Sequence, residues 1–241
     1  YPGGENSNRT SQKTNGFFGG TMTAAGRVKT PTFASKNNDL SPKTMRAEII
    51  SIGDELTSGQ RLDTNSQWIA ERLGEIGVPV MFHTTVSDDL AANVMVFRQA
   101  CERAGLVIAS GGLGPTADDL TRQAIAEMAG VELVQDDASL AHIKAMFARR
   151  KREMPASNTI QAMFPRGARA IPNPHGTAPG IDFTLTDRVG KSSRIFALPG
   201  VPAELKEMFG ATVRPEIQKV LSVGGIKKVI ASCPHCFNTI A

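Results

Sequence analysis

Short apolar runs alternate with amphipathic segments along most of this chain, and that alternation limits the fold more than any other feature. AEIISIG (47–53), VPVMFHTTV (78–86), LVIAS (106–110) and RIFALPG (194–200) read as buried strands. Between them, DTNSQWIAERLGEIG (63–77) opens on capping residues, puts Trp68, Ile69, Leu73 and Ile76 on one helical face and stops at Gly77. DLAANVMVFRQACERAG (89–105) spaces Leu90, Val94, Phe97 and Cys101 as a second amphipathic helix. Strands buried on both faces and joined by helices predict an α/β fold with a mostly parallel sheet. Further on, SLAHIKAMFARRKRE (139–153) reads as a helix with a basic last turn. The stretch 155–182 is punctuated by Pro and Gly, and PAELKEMFGATVRPEIQKVL (202–221) reads as a final helix bent at Pro215. No internal repeat is visible.

The net charge of +4 suggests a nucleic-acid partner until it is mapped. Residues 1–44 hold six basic and two acidic side chains, and the remainder holds 21 of each. A neutral body gives no electrostatic footprint for DNA or RNA, so no nucleic-acid partner is expected. Residues 1–44 are rich in Gly, Ser, Thr, Asn and Lys and read as disordered or as sequence upstream of a start at Met45. No window approaches the apolar length of a membrane span, and no secretory signal is evident, so a cytoplasmic protein with no membrane partner is expected.

Ligands of parallel sheets collect where strands end and loops lead into helices. Unusual residues stand at three such ends: Gly53-Asp54-Glu55, Ser87-Asp88-Asp89, and SGGLGPTADDLTR (110–122). In the last, Gly111, Gly112 and Gly114 leave backbone amides free to face an anion, and the following helix N-terminus adds partial positive charge. Thr116 and Asp119 have capping-box spacing, which gives one aspartate a structural reason. Asp118 and Asp119 together would repel a phosphate unless a divalent cation lay between them.

GDELTSGQRLDTNSQWIAERL and SGGLGPTADDLTR resemble the molybdopterin-binding fold of MogA, MoaB, MoeA and gephyrin. Asn158-Thr159-Ile160-Gln161-Ala162, IPNPHGTAPG (171–180) and LPGVPAELKEMF (198–209) narrow the resemblance, which runs from about residue 46 to 221, to the N-terminal domain of the CinA (competence-damage-inducible) family. It implies a three-layer α/β/α domain over 45–221 and a homo-oligomer. It also implies metal-dependent hydrolysis of ADP-ribose to AMP and ribose 5-phosphate, with Mg²⁺, Mn²⁺ or Co²⁺ as the divalent cation. The catalytic residues would be Asp54, Glu55, Asp88 and Asp119, with Asp118 and Asp119 at the metal. Gly53, Asn65, Gly111, Gly112, Gly114, Thr116, Thr121, Asn158, Asn173, Gly176, Thr177, Pro199 and Gly200 would bind substrate. Loop amides of 111–116 would hold one phosphate while a carboxylate, Asp54, Glu55 or Asp88, orients the attacking water. The family usually has a basic residue where this chain has Ile160, which predicts a weaker phosphate contact unless Arg166 or Lys191 replaces it. The alternatives are pterin binding or adenylyl transfer of the MogA kind, and a binding domain without turnover.

Other candidates carry less. His83 reads as structural, His142 as solvated, and His175 within PNPHGTAPG as the better site candidate. Residues 222–241 contain a lone Cys233-Pro-His-Cys236, short of the four ligands a metal site needs. KKVIASCPHCFNTI resembles a fragment of the cysteine-rich motif of heterodisulfide-reductase-type oxidoreductases and is expected to be a truncated tail. No P-loop and no G-x-S-x-G is present.

Overall fold

The computed structural model of the protein describes residues 45–223, so the segment 1–44 and the Cys233/Cys236 tail lie outside the described residues. In chain order the first half runs β1 (Ala47–Ile52), α1 (Asp54–Thr57), α2 (Thr64–Glu75), β2 (Val80–Val86), α3 (Leu90–Arg103), β3 (Leu106–Ser110) and α4 (Thr121–Ala129). The second half runs β4 (Leu133–Gln135), α5 (Asp137–Arg149), β5 (Met163–Pro165), β6 (Arg169–Ile171), β7 (Gly180–Thr186), β8 (Ser192–Leu198), α6 (Pro202–Met208) and α7 (Arg214–Val223).

Six strands form one sheet in the order β2-β1-β3-β8-β7-β6. β2, β1, β3 and β8 are mutually parallel, and β7 pairs antiparallel to both neighbours. Alternate residues of the central strands enter opposite cores. Ile50 and Ile52, Val107 and Ala109, and Ile195 and Ala197 pack with Val94, Phe97 and Ile125 of α3 and α4. Ile49, Leu106, Ile108, Phe196 and Leu198 pack with Ile69 and Leu73 of α2, and with Leu205, Phe209 and Ile217 from the last helices. This is the expected three-layer α/β/α sandwich, and each fully buried aliphatic side chain stabilises it by about 1.5–3 kcal/mol.

Local rules explain where the helices begin. Asp63 accepts the Ser66 amide at 2.9 Å, Asp89 the Ala92 amide at 2.8 Å and Asp136 the Ser139 amide at 2.7 Å, each at a helix N-cap. α4 stops at Gly130, whose left-handed φ of 67° no side chain opposes.

Three expectations need correction. The stretch 155–182, read only as punctuated by Pro and Gly, holds a 3-10 helix (Ala156–Ala162), β5, β6 and the start of β7, with β4 and β5 forming a separate two-stranded sheet. α5 ends at Arg149, four residues early, and the chain turns away through Lys151 at φ 53°. Before Pro215, Phe209–Val213 winds as a π-helix. Proline has no N–H to donate one turn back, and the wider turn absorbs that missing bond.

Chain order across the sheet matters for function. From β1 the chain crosses by α2 to β2 on one side, then returns by α3 to β3 on the other. The loops leaving β1 and β3 therefore part company, and a crevice opens beyond their carboxyl ends.

Candidate functional site

That crevice is a cavity of about 520 Å³ lined by Gly53 and Glu55 after β1, Asp88 after β2, Gly111–Gly114, Asp118 and Asp119 after β3, and Pro199–Pro202 after β8. Arg61, Thr177, Ala178 and Glu204 complete it. Its volume suits a small ligand. Five carboxylates (Glu55, Asp88, Asp118, Asp119 and Glu204) face one lining cation, Arg61.

The glycine loop is built by close approach. Gly111 has φ 110°, and a Cβ there would sit 2.3 Å from the Ile52 carbonyl of β1. Its amide donates to the Leu198 carbonyl at 3.0 Å, and its own carbonyl accepts the Thr121 hydroxyl at 2.9 Å. At φ 65°, Gly112 leaves no room for a Cβ beside the same hydroxyl. Thr121 is fully buried and does not line the cavity, so its part is to hold the loop.

Asp119 folds the loop's far end. Its Oδ1 accepts the Gly114 amide at 2.7 Å, and its Oδ2 accepts the Thr116 amide at 2.9 Å together with the Thr116 hydroxyl. The structural aspartate is therefore Asp119, but it folds the loop on itself instead of capping α4, which begins at Thr121 with no side-chain cap, and Asp118 is the freer of the pair. This corrects the expectation that amides 111–116 all face an anion. Those of Gly111, Gly114 and Thr116 are engaged, Pro115 has none, and Gly112 and Leu113 have no protein acceptor among the described residues.

Asp54 and Asp88 lock two loops by reciprocal bonds. The Asp54 amide donates to Asp88 Oδ2 at 2.9 Å and the Asp88 amide to Asp54 Oδ1 at 3.1 Å. Asp54 does not line the cavity, whereas Asp88 and Glu55 do. Burial pushes the Asp88 carboxyl up, and the charges of Asp54, Asp118 and Glu55 push the same way against the Asp54 hydrogen bond.

Several expected binding residues act as framework. Asn65 donates to Ser110 Oγ at 3.0 Å and to the Gly200 carbonyl at 2.9 Å, tying the ends of β3 and β8 together. It faces a small adjoining recess with Arg61 and Leu62. Asn158, buried, donates to Gln161 Oε1 at 2.8 Å, and Gln161 reaches the Leu113 carbonyl at 3.5 Å from beneath the loop. Asn173 accepts the Gly176 amide at 2.9 Å and donates to Glu204 Oε2 at 2.7 Å, shaping the turn that presents Thr177. Gly176 leaves space for Glu204, which a Cβ would meet at 2.3 Å.

His175 turns out to the surface, where it pairs with Glu207 at 2.6 Å. His83 is exposed on β2, and His142, on an exposed stretch of α5, contacts the Asn173 carbonyl at 3.1 Å. Ile160 is 44% exposed and lines none of the cavity. Neither expected replacement for it reaches the site: Arg166 pairs with Glu132, and Lys191 donates to the Cys101 and Glu102 carbonyls.

A family model described as "Probable molybdopterin binding domain" matches residues 48–219. The crystal structure of CinA from Thermoplasma acidophilum, titled as a protein of unknown function, is similar at 33% identity and a TM-score of 0.63, over 71% of this chain and 97% of that one. The chain belongs to the CinA family of molybdopterin-binding-type domains. A "Putative competence-damage inducible protein" of Desulforamulus reducens is 45% identical over 169 residues, 70% of this chain but 40% of that protein. The chain therefore spans well under half the length of that relative. MoaB from Pyrococcus furiosus, a tungsten-cofactor-synthesizing protein, shares the fold at 19% identity and a TM-score of 0.51, over 76% of this chain and 98% of that one.

Within this CinA-type domain, sequence reasoning missed three site groups: Arg61, Glu204 and the buried Arg122 beneath the loop. The donor chemistry of the cavity also bears on the expected cation. Among the described residues no three acidic, imidazole or thiol side chains converge as a cage of their own. Hard cations such as Mg²⁺ take one or two carboxylates and complete their shell with water and phosphate oxygens, and the lining carboxylates fit that mode. No membrane-spanning helix is present among the described residues.

Proposed function

We propose that this CinA-type domain is a divalent-cation-dependent nucleotide pyrophosphatase that hydrolyses ADP-ribose to AMP and ribose 5-phosphate. The observation that carries the reading is the cavity's charge: five carboxylates and one arginine around a glycine loop with two unengaged amides. A bare pyrophosphate would be repelled there, and a pyrophosphate carrying Mg²⁺, Mn²⁺ or Co²⁺ would not. When bound, such a cation supplies neutralisation of the phosphate oxygens.

The chain's own groups have separable tasks. Gly112 and Leu113 offer amides to one phosphate, and Arg61 offers a guanidinium from the cavity lining. Asp118 and Glu55 are the open carboxylates for the cation. Asp88, raised by burial and by its acidic neighbours, is placed to accept a proton from the attacking water. Water oxygen joins one phosphorus as the bridging P–O bond breaks, and AMP leaves with ribose 5-phosphate as the second product.

The test is AMP formation from ADP-ribose by the purified protein with each metal in turn. Metal-dependent AMP that is lost in D88N supports the reading, and no AMP with any metal refutes it. The family model's own description favours a second reading, pterin binding, for the same cavity. Calorimetric binding of a molybdopterin precursor without ADP-ribose turnover would select it.

A further inference from the structure

Arg122 is a buried charge that the proposed chemistry leaves unexplained. Its side chain is 1% exposed, on the first turn of α4 directly under the glycine loop. Nη2 donates to the Leu113 carbonyl at 2.8 Å and Nη1 leans toward the Gly114 carbonyl at 3.4 Å, while Nε has no partner among the described residues. No carboxylate forms an ion pair with it there, although Arg103 pairs with Glu48 and Arg194 with Asp182 and Glu216. Burial pulls its ionisation down to about 10, against the opposing charge of Asp119, so it stays cationic at neutral pH. A buried cation without a counter-ion is costly, and an apolar side chain of similar volume is often the more stable filling. Stability therefore gives no reason for an arginine here.

We infer that Arg122 is a positioning residue that makes the glycine loop select ligands by their negative charge. Its fork turns the carbonyls of Leu113 and Gly114 down and out of the cavity, so the loop presents amides rather than oxygens. Its charge lies behind those amides in a water-poor layer, where a unit charge acts at longer range than in solvent. Asp119 acts on it without forming an ion pair, and the ligand supplies the close anion. The inference rests on the cavity being a phosphate site and not on which reaction follows there.

The test is calorimetric titration of the full 241-residue chain with uncharged adenosine and with ADP, which keeps a net negative charge as its Mg²⁺ complex, both at saturating Mg²⁺, comparing wild type, R122K and R122M. Wild type should prefer ADP. R122M should shrink that preference by about tenfold, and R122K, which keeps the charge, should hold it within about threefold. If R122M does not fold, R122Q, which can still donate to Leu113, makes the same comparison. Equal weakening of both ligands in the neutral variant would show a purely structural role and overturn the inference, as would wild-type binding of neither. ADP preference that depends on Arg122 in a protein that never hydrolyses ADP-ribose would sink the pyrophosphatase reading alone.

Discussion

Replacing Gly111 by alanine tests whether the site depends on the contact between the β1 and β3 ends. The added Cβ would lie 2.3 Å from the Ile52 carbonyl oxygen, 0.7 Å inside the 3.0 Å limit that real Cβ atoms respect. The obstacle is the backbone of a central strand, which cannot swing aside as a long side chain would. Left-handed backbone in a non-glycine residue costs on the order of 1–3 kcal/mol, and φ 110° is outside even the ordinary left-handed well. Parting the two strand ends adds a second term of about 1–3 kcal/mol. The sum predicts a loss of about 2–6 kcal/mol in urea unfolding, together with loss of ADP binding. G130A is the control, since Gly130 is also left-handed but a Cβ there meets nothing. It should lose only about 1 kcal/mol and bind normally. G111A as stable as G130A, with binding intact, would show that the close approach does not exist.

Other outcomes follow from the same geometry. D119A removes the acceptor of the Gly114 and Thr116 amides and should lower stability by about 2–4 kcal/mol in denaturant titration, whereas a pure metal ligand would leave it unchanged. H175A should change stability by under about 0.5 kcal/mol and leave ligand binding as it is, because its pair with Glu207 is exposed and outside the cavity. Glu216 is drawn down to about 2, first by its Arg194 hydrogen bond. A depressed carboxylate stabilises the fold fully above its ordinary value and loses that contribution as pH falls toward the folded one, so urea midpoints should drop below about pH 4.5 less steeply in E216Q than in wild type.

The central strands and their helices were legible because burial on both faces and one-sided helices leave different periods in the sequence. β7 was missed although Ile181, Phe183 and Leu185 alternate through Gly180–Thr186, a signal obscured by the Pro/Gly-rich stretch before it. At the site, the glycines and aspartates stood out by residue type, but type alone could not divide Asp118 from Asp119. That division depends on the loop folding back far enough for Asp119 to take the Gly114 amide. Arg122 and Glu204 were illegible for a different reason. Each lies on a helix whose local pattern reads as ordinary surface, and only tertiary packing buries the first and turns the second toward the cavity.

The proposed chemistry requires that one acidic cavity hold a phosphate on its glycine loop through a divalent cation. Anomalous diffraction from crystals soaked with Mn²⁺ and a non-hydrolysable ADP-ribose analogue tests it most directly. A metal peak is expected against Asp118 and Glu55, with a phosphate on the Gly112 and Leu113 amides. A peak elsewhere would contradict it, above all at the second cavity of about 410 Å³ beside Arg169, Asp182 and Arg194.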